Sequence, residues 1–127
     1  MLPLRYGRIW LAIGLLTLLF GLFSALDTSV AKAITLNDKL IHFTGFLGFM
    51  LWFGGLFERR HLVWVALALC GYGVLIEVLQ SFTRTRHAEG FDVVADVSGV
   101  LIGWLLGLAG LSRWCMKLES WLGSRNP

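Results

Sequence analysis

Four apolar runs alternate with short polar connections along the chain, at about 9–26, 40–57, 62–82 and 93–111. Each holds 18 to 21 residues. At 1.5 Å per residue such a helix is roughly 27–32 Å long, which matches a hydrocarbon layer of about 30 Å. The first run, "IWLAIGLLTLLFGLFSAL", has no charged residue. The second contains His42, the third Glu77, and the fourth carries Asp96 near its start. After residue 111 the pattern changes. Leu111, Trp114, Cys115, Leu118, Trp121 and Leu122 recur at helical spacing, with Arg113, Lys117 and Glu119 between them. This reads as a short amphipathic helix on the membrane interface, with a plain extension of the fourth run as the competing reading. No internal repeat or low-complexity stretch is present.

Composition agrees with the pattern. Hydrophobic residues make up 57% of the 127 positions, charged residues only 15%, and the mean hydropathy is +0.73. A soluble domain carries about 25% charged residues, so this chain has too few to cover a water-facing surface. Six Trp and fifteen Gly fit a membrane setting, where Trp marks interfaces and Gly is tolerated in helices. The expectation is a single all-α domain over residues 1–127. It is an integral membrane bundle of four transmembrane helices with a short amphipathic C-terminal interfacial helix. A signal peptide is the alternative for the first run, with Arg5 and Arg8 as its basic flank and "AKA" at 31–33 as a cleavage site. Eighteen apolar residues exceed the roughly 7–15 of a signal core, which favours an uncleaved span.

Charge then sets direction. With the N-terminus in the cytoplasm, the inner side holds Arg5, Arg8, Arg59, Arg60, Arg113, Lys117 and Arg125, seven in all. The outer side holds Lys32, Lys39, Arg84 and Arg86, which is four. The positive-inside rule therefore predicts both termini in the cytoplasm of a bacterial cytoplasmic (inner) membrane protein. The net charge of +3 is spread through these connections and is no sign of a nucleic-acid partner. Cys70 and Cys115 form no CxxC or Cys/His cluster, so neither a disulfide framework nor a zinc site is expected, and no cofactor is implied.

With that topology the unusual polar residues fall near one surface. "LNDKLIHF" opens the second span, "IEVLQSFTRTR" closes the third and "GFDVVADVSG" opens the fourth. Asp38 and His42 are four apart and share a helical face; Glu77 and Gln80 are three apart, with Arg84 on the same stripe; Asp92 and Asp96 are four apart. The Asp96 stripe continues into Gly99, Gly103 and Gly107, a small-residue ladder that lets helices approach closely. The Asp96 carboxylate should therefore point into the bundle. A mid-helix charge costs roughly 2.5–3.5 kcal/mol on insertion scales, so Glu77 is expected either paired, with His42, Arg84 or Arg86, or protonated. Plain structural roles compete: helix capping for Asp38 and Asp92, headgroup-level snorkelling for Lys39, Arg84 and Arg86, and a buried polar network for His42, Glu77 and Asp96.

These residues resemble the VanZ-like family of small bacterial membrane proteins. The matching pieces are "DKLIHF" at 38–43, "EVLQ" at 77–80 and "RHAEGFDVVADVSGVLIG" at 86–103, so the motif resemblance covers about 38–103. Asp38, Lys39, His42, Phe43, Glu77, Gln80, Arg86, Asp92, Gly99 and Gly103 carry over. Phe46 stands where the family often has Tyr, and Asp96 where Asn is usual. The resemblance implies a multi-span helical membrane protein, in a family named for a member linked to low-level resistance to the glycopeptide teicoplanin.

Four functions follow as expectations. The first is an outward-facing pocket for a phosphate-bearing lipid or envelope precursor, with Asp38, Lys39, Gln80, Arg84, Arg86 and Asp92 as ligand contacts. Membrane lipids are the partners. The second is a membrane hydrolase or transferase in which His42, Glu77 and Asp96 are catalytic; Asp92 and Asp96 are then able to hold a divalent ion. No Ser or Cys nucleophile motif lies beside the His. A proton-coupled transporter is disfavoured, because the inner half of every run is almost bare of polar residues. The fourth is a scaffold or accessory subunit of an envelope complex.

Overall fold

A computed structural model of the chain describes residues 1–27, 38–82 and 90–123. Helix α1 spans Gly7–Leu26, α2 Asp38–Gly54, α3 Leu62–Ser81, α4 Gly90–Leu106 and α5 Trp114–Gly123. A short 3-10 turn, Arg59–His61, precedes α3, and a wide π-type turn, Gly107–Leu111, follows α4. No strand occurs among the described residues. Among the described residues, three segments are long and apolar enough to cross a membrane: Gly7–Leu26, Arg59–Ser81 and Gly90–Leu111. Helix α2, with 17 residues, is shorter than the expected run to Phe57. Its end is set by Gly55, where the Trp114 indole occupies the space a side chain would fill and donates to the Leu51 carbonyl at 2.9 Å.

The helices run alternately up and down, and α2 and α4 form the most extensive pairing. Glycines make that pairing close. A Cβ at Gly99 would collide with the Phe43 carbonyl oxygen and stand 3.0 Å from the Leu47 amide nitrogen; one at Gly103 would sit 2.8 Å from Met50 Cβ. The small-residue ladder therefore faces α2, as the spacing predicts. Helix α1 lies outside this pair, against α2 and α3. It is tied by side chains that donate to its carbonyls: Tyr72 Oη to Leu18 at 2.5 Å and Gln80 Nε2 to Ala25 at 2.9 Å. Much of its remaining surface is exposed and apolar, including Leu16, Leu19, Phe20 and Phe23. In water such a face would drive aggregation; in a bilayer it meets lipid tails.

The two chain ends meet at one end of the bundle. Gly110, with φ of 129°, and Arg113, with φ of 68°, turn the chain sharply after α4. Helix α5 then folds back rather than extending α4. Glu119 accepts from the Arg5 and Tyr6 backbone amides at 2.7 and 3.0 Å and from the Trp10 indole at 2.8 Å. A carboxylate thus covers the start of α1, where unpaired amides and the helix dipole favour negative charge. Trp10, Trp52 and Trp114 pack edge to face beside it, with ring centroids 5.3 to 5.8 Å apart.

Candidate functional site

The opposite end of the bundle holds the buried polar residues. His42 enters one turn inside α2, Glu77 one turn before the end of α3, and Asp92 and Asp96 lie in the first two turns of α4. Each is buried, and Asp96 is completely so. Helical spacing explains their convergence: the α2–α4 contact that seats Gly99 on Phe43 also brings His42 beside Asp96.

His42 Nδ1 is 2.7 Å from Asp96 Oδ1. With that carboxylate ionised and the ring neutral, the imidazole proton sits on Nδ1 and the lone pair on Nε2. Nε2 faces Asp92 Oδ2 at 3.9 Å. The other oxygen of Asp92 lies 3.7 Å from Lys39 Nζ, a side chain 45% exposed at the rim. His42, Glu77 and Asp92 each offer a donor atom, and these atoms lie within 4.8 Å of one another. The site is thus a buried His–carboxylate group with a half-exposed ammonium beside it.

Several expected residues are brought together here: Lys39, His42, Glu77, Asp92 and Asp96. Gln80, expected as a ligand contact, is fully buried and its amide reaches back to α1. The Asp38 side chain, Arg84 and Arg86 lie outside the described residues. The carboxylate partner of His42 is Asp96, a pairing that spacing along single helices does not reveal.

Gly73 escaped the sequence reading. A Cβ there would stand 2.8 Å from Asp96 Oδ2, so the glycine makes room on α3 for the α4 carboxylate. Asp96 Oδ2 has no hydrogen-bond partner among the described residues. The only sequence signal was a glycine four residues before Glu77, on the same helical face.

A separate cavity lies away from this cluster. An apolar groove of about 590 Å³ runs between α1 and α3 toward the end with the termini, lined by residues such as Leu11, Leu15, Phe53, Trp64 and Leu69. It has almost no polar lining and no carboxylate. A surface of this kind suits lipid tails.

Apolar helices around a buried His–carboxylate cluster define a multi-pass helical membrane protein. The pattern of the VanZ/LLP1 family matches residues 6–111, and the chain belongs to that family. The match extends through α1, beyond the 38–103 stretch that the motifs mark. An uncharacterised protein of the fission yeast Schizosaccharomyces pombe is 31% identical over 93 residues, covering 70% of this chain and 57% of the relative. The chain thus spans little more than half of that relative's length. No solved structure matches.

Proposed function

We propose that α2, α3 and α4 frame a hollow at this cluster that binds the phosphate-bearing headgroup of a membrane lipid or lipid-linked envelope precursor in the outer leaflet. The observation that carries this reading is the burial of His42, Glu77, Asp92 and Asp96 in a bundle whose described core is apolar apart from these and Gln80. Apolar packing would hold three helices together at least as well as a buried ionic group, so the cluster is better accounted for by a ligand than by stability. Lys39, exposed at the rim beside Asp92, offers the described cation for a phosphate. The sequence places Arg84 and Arg86 in the connection between α3 and α4, and Arg pairs with phosphate in two-pronged fashion. A relative in a yeast favours a membrane lipid over a wall precursor, because lipid is what such cells share with bacteria. A link to glycopeptide susceptibility would follow from altered envelope chemistry. The excess of Lys and Arg near the termini supports a cytoplasmic-membrane orientation with both ends inside.

The test is lipid co-purification followed by mass spectrometry. The wild type should enrich an anionic phospholipid or polyprenyl phosphate over the bulk membrane. Lys39→Ala and Arg86→Ala should each reduce that enrichment. An identical lipid profile in wild type and both variants would reject the reading.

A second reading, a hydrolase or transferase acting on such a lipid, is favoured by one observation. His42 is held by Asp96 with Nε2 turned toward other polar groups, as a base held by an orienting carboxylate would be. Turnover of a labelled lipid, lost in Glu77→Gln, would distinguish catalysis from binding.

A further inference from the structure

We propose that His42, Glu77 and Asp92 bind a divalent metal ion of the zinc class, with Asp96 as the residue that positions His42. The proposal uses the same hollow as the lipid reading but does not depend on it.

Geometry provides the first argument. The three candidate donor atoms come from three different helices, lie within 4.8 Å of one another and belong to buried residues. A tetrahedral ion with bonds of about 2.0–2.1 Å sets its ligands about 3.3 Å apart. The group is therefore slightly open and would tighten by rotamer adjustment. His42 Nε2 and Asp92 Oδ2, at 3.9 Å, are too far apart for a hydrogen bond and close enough to share an ion.

The second argument is the orientation of the imidazole. A metal-binding His commonly donates its other ring N–H to a carboxylate, which fixes the tautomer and raises the basicity of the ligating nitrogen. The Nδ1–Asp96 bond at 2.7 Å supplies that arrangement. It leaves Nε2 as the nitrogen with the lone pair, on the side where Asp92 stands. Gly73 is the seat that permits it, since a side chain there would displace Asp96.

The chemistry of the donor set is the third argument. One imidazole nitrogen with two carboxylate oxygens suits zinc, manganese or iron rather than calcium or magnesium, which prefer all-oxygen sites. Asp92 can serve both neighbours, with Oδ1 toward Lys39 and Oδ2 toward the ion.

The experiment uses the full chain in detergent, purified with a tag free of histidine. Bound metals are measured by mass spectrometry, and zinc is then titrated by calorimetry into metal-stripped protein. The expected result is saturable binding of about one zinc per chain, in keeping with one three-ligand site. His42→Gln and Glu77→Gln should each abolish it. Asp96→Asn should weaken it by about 10–100-fold, the usual effect of losing a partner behind a ligating His. His61→Ala, at the other end of the bundle, should leave it unchanged. Tryptophan fluorescence and the gel-filtration profile check that each variant is folded. Absence of saturable zinc binding by folded wild type would overturn the proposal, as would unchanged binding in folded His42→Gln and Glu77→Gln. Binding of calcium or magnesium alone would overturn it as well. Lipid enrichment without zinc would refute only the metal, and zinc binding without lipid enrichment only the lipid reading.

Discussion

Asp96 accepts a 2.7 Å hydrogen bond from His42 across the α2–α4 interface, with its second oxygen seated over Gly73 of α3. One side chain thus touches all three helices of the polar end. Its replacement separates shape from chemistry. Asp96→Asn keeps the size and an acceptor oxygen. It should fold with little change in thermal midpoint. Asp96→Leu leaves the buried imidazole N–H without its acceptor, a loss of about 1–3 kcal/mol. It also presses a branched chain against Gly73. Thermal unfolding in detergent should show a clear drop for Leu and little for Asn; equal drops would mean that shape alone holds the site together.

The close approach of α2 and α4 predicts a sharp contrast between glycines. Gly99→Ala would drive a methyl group into the Phe43 carbonyl and the Leu47 amide, which are backbone atoms that cannot rotate away. The helices must separate, with an expected loss of about 1–3 kcal/mol or more, as for other overpacked contacts. Gly48 has nothing within 4 Å of the corresponding position. Gly48→Ala should be neutral or raise stability by about 0.5–1 kcal/mol through helix propensity. Unfolding in a denaturing detergent would rank the two, and similar values for both would contradict the interface.

Glu119 predicts a pH dependence at the other end. Partial burial acts to raise its pKa, but the Tyr6 amide, the Trp10 indole, and the Arg5 amide and charge outweigh it and hold the carboxyl below its ordinary 4.5. A carboxyl lowered in the folded state stabilises fully above its unfolded value, and that contribution disappears as pH falls through the folded one. Glu119→Gln should therefore lower the thermal midpoint at neutral pH. The gap from wild type should close as pH drops below about 4.5. Fluorescence of the Trp10–Trp52–Trp114 cluster offers the signal, and a gap that stays constant with pH would remove the charge from the account.

The same residues show what a sequence makes legible. The long apolar runs and the polar tips were plain because each depends on local spacing: length for a span, three or four residues for a shared face. The Asp96–Gly99–Gly103 stripe even gave the packing face correctly. What spacing could not show was which helix each face meets. Spacing therefore offers His42, Arg84 or Arg86 as partners for Glu77, while the contact of Asp96 with His42 emerges only from the α2–α4 pairing. Glu119 looked like a solvated position in an amphipathic tail, yet it caps α1 from 114 residues away along the chain. Helix α2 ended early for a similar reason, since a tryptophan from beyond α4 fills the place above Gly55.

The up-and-down order of the helices gives the last prediction, which concerns sidedness. Arg60 in the α2–α3 turn shares one end of the bundle with the start of α1 and with α5, while Phe82 lies at the other, 81% exposed after α3. The sequence assigns seven of the eleven Lys and Arg to the Arg60 side, and the positive-inside rule then predicts that side in the cytoplasm. With Cys70 and Cys115 replaced by alanine, Phe82→Cys should react with a membrane-impermeant maleimide added to intact cells. Arg60→Cys should react only after permeabilisation. The reverse result would turn the polar hollow toward the cytosol. A ligand would then have to come from the inner leaflet, and the outer-leaflet headgroup would be excluded on geometry, because no described polar path joins the two ends of the bundle.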